Sequence, residues 1–153
     1  MAITINKKAY HNYEILQTFE AGIVLTGPEV KSIKQGKINL KGSYVQINSQ
    51  GIPWLINAHV DPYAPAAQVQ KEYDPTQSRK ILLHKKEINS LIGKLKTRGL
   101  SLIPLKVFVK NNIIKLEIGL ARGKKKWDKR EDIKKRDIDK KIKKALKEKF
   151  KTF

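Results

Sequence analysis

The sequence predicts a mainly β protein with flanking helices and a separate basic tail. Three observations carry that prediction. Apolar and polar residues alternate over several short segments between Tyr13 and Leu120. Turn signals separate those segments, among them "NSQG" at 48–51 and the dipeptide Asn111-Asn112. From Arg122 to Lys151 the composition changes: 16 Lys/Arg stand against 6 Asp/Glu, a net +10 in 30 residues.

Tyr13–Phe19 and Gly22–Thr26 read as strand with a break near Ala21-Gly22. "TGPEVKSIKQG" reads as a short helix. Thr26 is its N-cap, Glu29 three residues on completes a capping box, Pro28 suits the first turn and Gly36 the left-handed stop. "SYVQI" and "IPWLINAHV" flank the NSQG turn, so Ser43–Val60 reads as a hairpin. Asp61–Ser78 holds Pro62, Pro65 and Pro75 with little periodicity and reads as a long surface loop. "KKEINSLIGKLKTRG" spaces Ile88, Leu91, Ile92 and Leu95 helically and stops at Gly99. "LSLIPLKVFVK" and "IIKLEIGLA" form a second hairpin around Asn111-Asn112. Ile114, Leu116, Ile118 and Leu120 share one of its faces, and Pro104 belongs at an edge or bulge. This order fits a small antiparallel barrel, closed or partly open, with one or two helices against it. An OB-like closed barrel is one candidate, and such barrels bind single strands or structured RNA. Residues 1–121 form that domain and 122–153 the basic C-terminal tail.

In the tail, Ile138, Ile142, Leu146 and Phe150 recur every four residues on a cationic background. That stripe is too thin to bury much surface. Pairs such as Asp137–Lys141 and Asp139–Lys143 add only ~0.3–0.5 kcal/mol each. The tail is therefore expected to be disordered alone and helical on a partner. A stable helix docked on the barrel is the competing reading.

The 153 residues carry a formal charge of +19, of which +9 lies outside that tail segment. So much positive charge points to a polyanion: nucleic acid first, an acidic membrane surface second. Solubility alone is the plainer explanation. There are no cysteines, which excludes disulfides, thiolate zinc sites and a cysteine nucleophile. No apolar run approaches the ~18–20 residues needed to span a bilayer. The opening residues lack a signal-peptide apolar core, so a cytoplasmic location is expected. His11, His59 and His84 have no companions at metal spacing, and no phosphate-binding loop, G-x-S-x-G or H-E-x-x-H occurs. Neither enzyme activity nor a cofactor or metal is expected. A metal-dependent nuclease with ligands converging from distant positions is the alternative.

Three stretches mix cations with apolar or aromatic groups: "INKKAYHNYEI", "SRKILLHKKE" and "KKKWDKR". Bases can stack on their aromatics while lysines take phosphates. The plainer reading is ordinary core and surface, with Leu82 and Leu83 buried and Trp127 packed on the barrel.

Taken together, "NKKAYHNYEILQTFEAG", "GPEVKSIKQGKINLKGSYV", "DPTQSRKILLHKKEI" and "IGLARGKKKWDKR" resemble, in order, the blocks of the SsrA-binding protein (small protein B) family. The resemblance implies an OB-type barrel with an unstructured tail. It implies binding to the tRNA-like domain of transfer-messenger RNA, and delivery with elongation factor Tu to stalled ribosomes. There the tail would enter the decoding centre and the empty mRNA channel. It carries over Asn6, Glu20, Leu82 and Lys115 as RNA contacts. Glu20 would help only by accepting from base or ribose donors. Lys7, Lys8, Lys31, Arg79, Lys80, Arg122, Lys124 and Lys125 fit as phosphate contacts by charge and location. Trp127, Asp128, Lys129 and Arg130 fall on the decoding-centre part of the tail. Gln77 departs from the family's usual arginine and Trp127 from its frequent histidine. A basic structural ribosomal protein or assembly factor is the main rival, distinguished by stoichiometric association with every ribosome.

Overall fold

The computed structural model describes residues 2–66 and 72–124. The chain runs β1 (Ala2–Ile5), α1 (Lys7–Asn12), β2 (Tyr13–Ile23), α2 (Gly27–Lys34), β3 (Ile38–Asn39) and β4 (Tyr44–Ile47). Then come β5 (Pro53–Ile56), β6 (His59–Val60), a 3-10 turn at Ala64–Ala66, β7 (Arg79–Leu82), α3 (Lys85–Leu95), β8 (Leu100–Lys110) and β9 (Ile113–Gly123). The main sheet has the order β1-β8-β4-β5-β7-β2-β9, and β9 pairs again with β8. From β8 through β4, β5, β7, β2 and β9 the pairings therefore return to β8. β3 and β6 pair separately.

The alternation of β9 fixes which face is buried. Ile114, Leu116, Ile118 and Leu120 point inward with Phe19, Leu55, Ile81 and Leu102. Ile33 of α2 and Leu91 of α3 are fully buried in the same cluster. Each such side chain contributes on the order of 1.5–3 kcal/mol by leaving water. Between β8 and β9, Asn111 and Asn112 both take left-handed backbone, φ 51° and 64°. That geometry matches the twist of the strands it joins, and Asn tolerates it better than most residues. The α2 capping box forms as expected: the Thr26 hydroxyl accepts from Glu29 N and the Glu29 carboxylate accepts from Thr26 N. Gly36, at φ 79°, stops that helix. Pro104 sits at a register shift between Pro104 and Lys106.

Four features differ from the sequence-based expectation. β2 runs unbroken through Ala21-Gly22, with its irregularity between Ile15 and Gln17. Gly22 pairs with Leu82 on one side and Lys115 on the other, and a Cβ there would meet Leu82 Cβ at 3.2 Å. The glycine serves close strand approach, not a break. The first hairpin is shorter than expected. Left-handed Asn57, φ 65°, follows the end of β5, and His59–Val60 turn away to pair with Ile38–Asn39. The 61–78 segment is mostly loop, yet its last residues enter a buried cluster described below. β1 and α1 were not expected at all. Four residues of strand and six of helix are too short for periodicity to register, and β1 is held by pairing to β8.

The chain divides into two units, Met1–Gly123 and Lys124–Phe153. The expectations for tail order, Lys125 and Trp127–Arg130 lie outside the described residues. Among the described residues no helix is long and apolar enough to cross a membrane.

Candidate nucleic-acid interface

β7 turns one sequence run into two different environments. Its four residues alternate, so Arg79 and Ile81 face inward while Lys80 and Leu82 face outward. Neighbouring β2 lies between β7 and β9 in the sheet. The register sets Leu82 opposite Gly22, and Gly22 opposite Lys115. Residues directly opposite share a face, as do residues two apart along a strand. Leu82, Lys115 and Glu20 therefore project to one side from three adjacent strands. They line a single open groove of about 510 Å3, joined by His84, Lys110 and Ile113.

The groove mixes charged and apolar side chains. Lys110 Nζ lies 3.3 Å from Glu20 Oε2, with both side chains about half exposed. Leu82 and Ile113 are 52% and 58% exposed. Leu82 thus faces outward and is not core; Ile81 takes the core position instead. Sequence reasoning missed Lys110, His84 and Ile113 as groove residues. For Lys110 and Ile113 the available signal was the Asn111-Asn112 turn, which places the residues on either side of it beside each other (Lys110↔Ile113).

Glu29, an acid of the second block, does something different. Glu29 and Arg79 form an ion pair at 2.6 Å, each side chain only 2% exposed. Arg79 Nε donates to Glu29 Oε2, Nη1 to the carbonyls of Ala58 and Gln77, and Nη2 to the Pro75 carbonyl and the Tyr73 hydroxyl. All five guanidinium N–H donors are committed. Gln77 Nε2 also donates to Glu29 Oε2, at 3.3 Å. Burial pushes the Glu29 pKa up, but the Thr26 backbone N–H, Arg79 and Tyr73 outweigh it and hold the carboxyl below its ordinary value. Burial pushes the Tyr73 hydroxyl up to about 12; Arg79 opposes that and Glu29 adds to it. The expectation that Arg79 contacts phosphate is corrected. A buried guanidinium with every donor used can reach a phosphate only if this cluster comes apart. Gln77, at the position where arginine was expected, belongs to the same buried cluster.

The remaining expected contacts are dispersed. Asn6 is buried: its Oδ1 accepts from Ala9 N as the cap of α1, and its Nδ2 donates to the carbonyls of Pro104 and Leu40. Its side chain secures the helix that displays exposed Lys7 and Lys8. Asn6 and Lys8 line a second depression of about 950 Å3 with Lys41 and Tyr44, apart from the Glu20 groove. Lys31 lies 5.5 Å from the centre of the Tyr63 ring. Lys80 is exposed, Arg122 pairs with Glu14 at 3.3 Å, and Lys124 is the last described residue. Among the described residues no group of three or more His, Cys, Asp or Glu is placed to hold a metal.

A basic, mainly β protein, with a groove where an acid and two lysines meet exposed aliphatic side chains, belongs to the class that offers a polyanion more than charge. The SmpB protein family model matches residues 3–148. The chain is 52% identical over 149 residues to the SsrA-binding protein of Sulfurihydrogenibium sp., covering 97% of this chain and 96% of that one. It is 50% identical to the SsrA-binding protein of Persephonella marina, with the same coverage. A solved structure described as "tmRNA-SmpB: a journey to the center of the bacterial ribosome" contains a chain 42% identical, with TM-score 0.65. That likeness covers 80% of this chain and 85% of that chain. The protein belongs to the SmpB, or SsrA-binding protein, family.

Proposed function

We propose that this protein is the RNA-binding adaptor of trans-translation. It binds the tRNA-like domain of transfer-messenger RNA and brings it, with elongation factor Tu, to stalled ribosomes in the cytoplasm. It carries no catalytic step and needs no cofactor. The ring of strand pairings supports a closed OB-type barrel as the fold of residues 1–121. This domain holds the RNA through Glu20, Leu82 and Lys115, with Lys7, Lys8, Lys31, Lys80 and Arg122 supplying charge elsewhere on its surface. Residues 122–153 form the tail, which fills the decoding centre and the empty mRNA channel through Trp127, Asp128, Lys129 and Arg130.

The observation that carries this reading is the convergence of Glu20, Leu82 and Lys115. They lie in three separated stretches of the sequence, and the register brings them to one groove. The test is the RNA that co-purifies with the tagged protein from its own cell. One dominant species with an acceptor stem ending in CCA is expected, in less than one copy per ribosome. Equimolar recovery with all ribosomes and no such RNA would replace this reading with that of a structural ribosomal protein.

A further inference from the structure

Phosphate binding alone leaves the composition of the Glu20 groove unexplained. Its aliphatic walls, Leu82 and Ile113, are the two most exposed large hydrophobic side chains among the described residues. A hydrated phosphate would not cover them, whereas the face of a nucleobase would. Glu20 is the second anomaly, a carboxylate in the groove of a basic protein. A carboxylate repels phosphate and, when ionised, can only accept hydrogen bonds. It selects an edge made of donors. Lys110, 3.3 Å from Oε2, supplies the counter-charge that lets an acid sit there among RNA phosphates.

We propose that the groove takes one unpaired guanine of the RNA partner. Its face lies against Leu82 and Ile113. Its N1–H and N2–H donate to the two carboxylate oxygens of Glu20, and its backbone phosphate lies toward Lys115. Unstacked bases are read on this Watson–Crick edge. Guanine alone offers two adjacent donors there. Adenine and cytosine set a donor beside an acceptor, and uracil sets one donor between two acceptors. Gly22 contributes by having no side chain, since a Cβ would press on Leu82.

This inference rests on RNA being the partner, and the experiment separates the two. The probe is a transcript of the tRNA-like domain of transfer-messenger RNA. Each unpaired guanine is replaced in turn by inosine, which lacks the N2 amine, and by adenine. Full-length wild type, Glu20→Gln and Ile113→Ala are titrated against the set. At one position inosine is expected to weaken wild-type binding about tenfold, or 1.4 kcal/mol. Glu20→Gln should be indifferent to that replacement. It should prefer adenine there, because the amide accepts from N6 and donates to N1. Ile113→Ala should weaken binding without changing the preference between bases. If no single replacement affects wild type, or if Glu20→Gln loses the same factor as wild type at every position, the guanine assignment is overturned. Tight binding of the unmodified transcript would then leave the RNA-binding reading standing. Failure of that transcript to bind would overturn both.

Discussion

Two glutamate–cation pairs in this protein have opposite surroundings. Glu29–Arg79 lies inside, 2.6 Å apart, with both side chains 2% exposed. Glu20–Lys110 lies outside, 3.3 Å apart, with its side chains 44% and 57% exposed. Inside, each polar atom needs a partner from the protein, and Arg79 finds five. Outside, water satisfies whatever the pair leaves over, so donors and acceptors stay available to a ligand. Residue type does not separate a charge committed to the fold from one open to a ligand here; solvent access does.

That contrast is sharpest if each pair is broken. Arg79→Met leaves the Glu29 carboxylate buried without its cation. It should lower stability by about 3–5 kcal/mol, measured by urea denaturation. Replacing both partners, as Glu29→Gln with Arg79→Met, should cost less than the two single changes added together. An Arg79→Met protein that melts normally and loses only RNA affinity would show that Arg79 is a binding residue after all. The same pair sets an acid response. Because the Glu29 pKa is depressed in the folded state, its contribution is complete above the ordinary carboxylate range. It is lost as pH falls through the depressed value. Wild type should therefore lose stability on acidification by more than the double variant does, followed by thermal melts across that range.

For the outer groups the expected currency is binding. Log affinity for the tRNA-like transcript should fall linearly with log salt, at a slope set by the phosphates neutralised. About six contacts would mean roughly a thousandfold loss between 50 and 200 mM. A flat salt response would remove the phosphate contacts assigned to Lys7, Lys8, Lys31, Lys80 and Arg122. Trp127→Ala should cost ~1–3 kcal/mol of base stacking in ribosome accommodation, with free RNA affinity unchanged and Trp127→Phe nearly normal. A lower melting temperature with normal accommodation would assign Trp127 to packing. The smallest effect belongs to Lys110→Ala. An exposed pair is worth ~0–1 kcal/mol, so the melting curve should barely move. A loss comparable with that of Arg79→Met would erase the distinction between the pairs.

Much of the fold was legible from the sequence because local chemistry decided it. Thr26, Pro28 and Glu29 specify a helix start by their own hydrogen bonds, and Asn111-Asn112 specify a turn by tolerating left-handed backbone. The alternation of Ile114, Leu116, Ile118 and Leu120 is a property of one strand, so it fixed the buried face of β9 unaided. The four sequence blocks also sufficed to place the chain beside its family.

Other features depend on which strands become neighbours. Gly22 looks like a break until Leu82 and Lys115 stand on either side of it. "SRKILL" offers two cations and three aliphatic residues. Only the pairing of β7 between β5 and β2 turns Arg79 and Ile81 inward and leaves Lys80 and Leu82 outside. Glu29 reads as a helix cap from its own segment, and its second role appears only when Arg79, 50 residues away, is brought against it. The physical reason is common to all three. Hydrogen-bonded caps and turns are settled within a few residues, whereas burial is a property of the assembled sheet. Burial decides whether a charge is held by the protein or left open to a ligand.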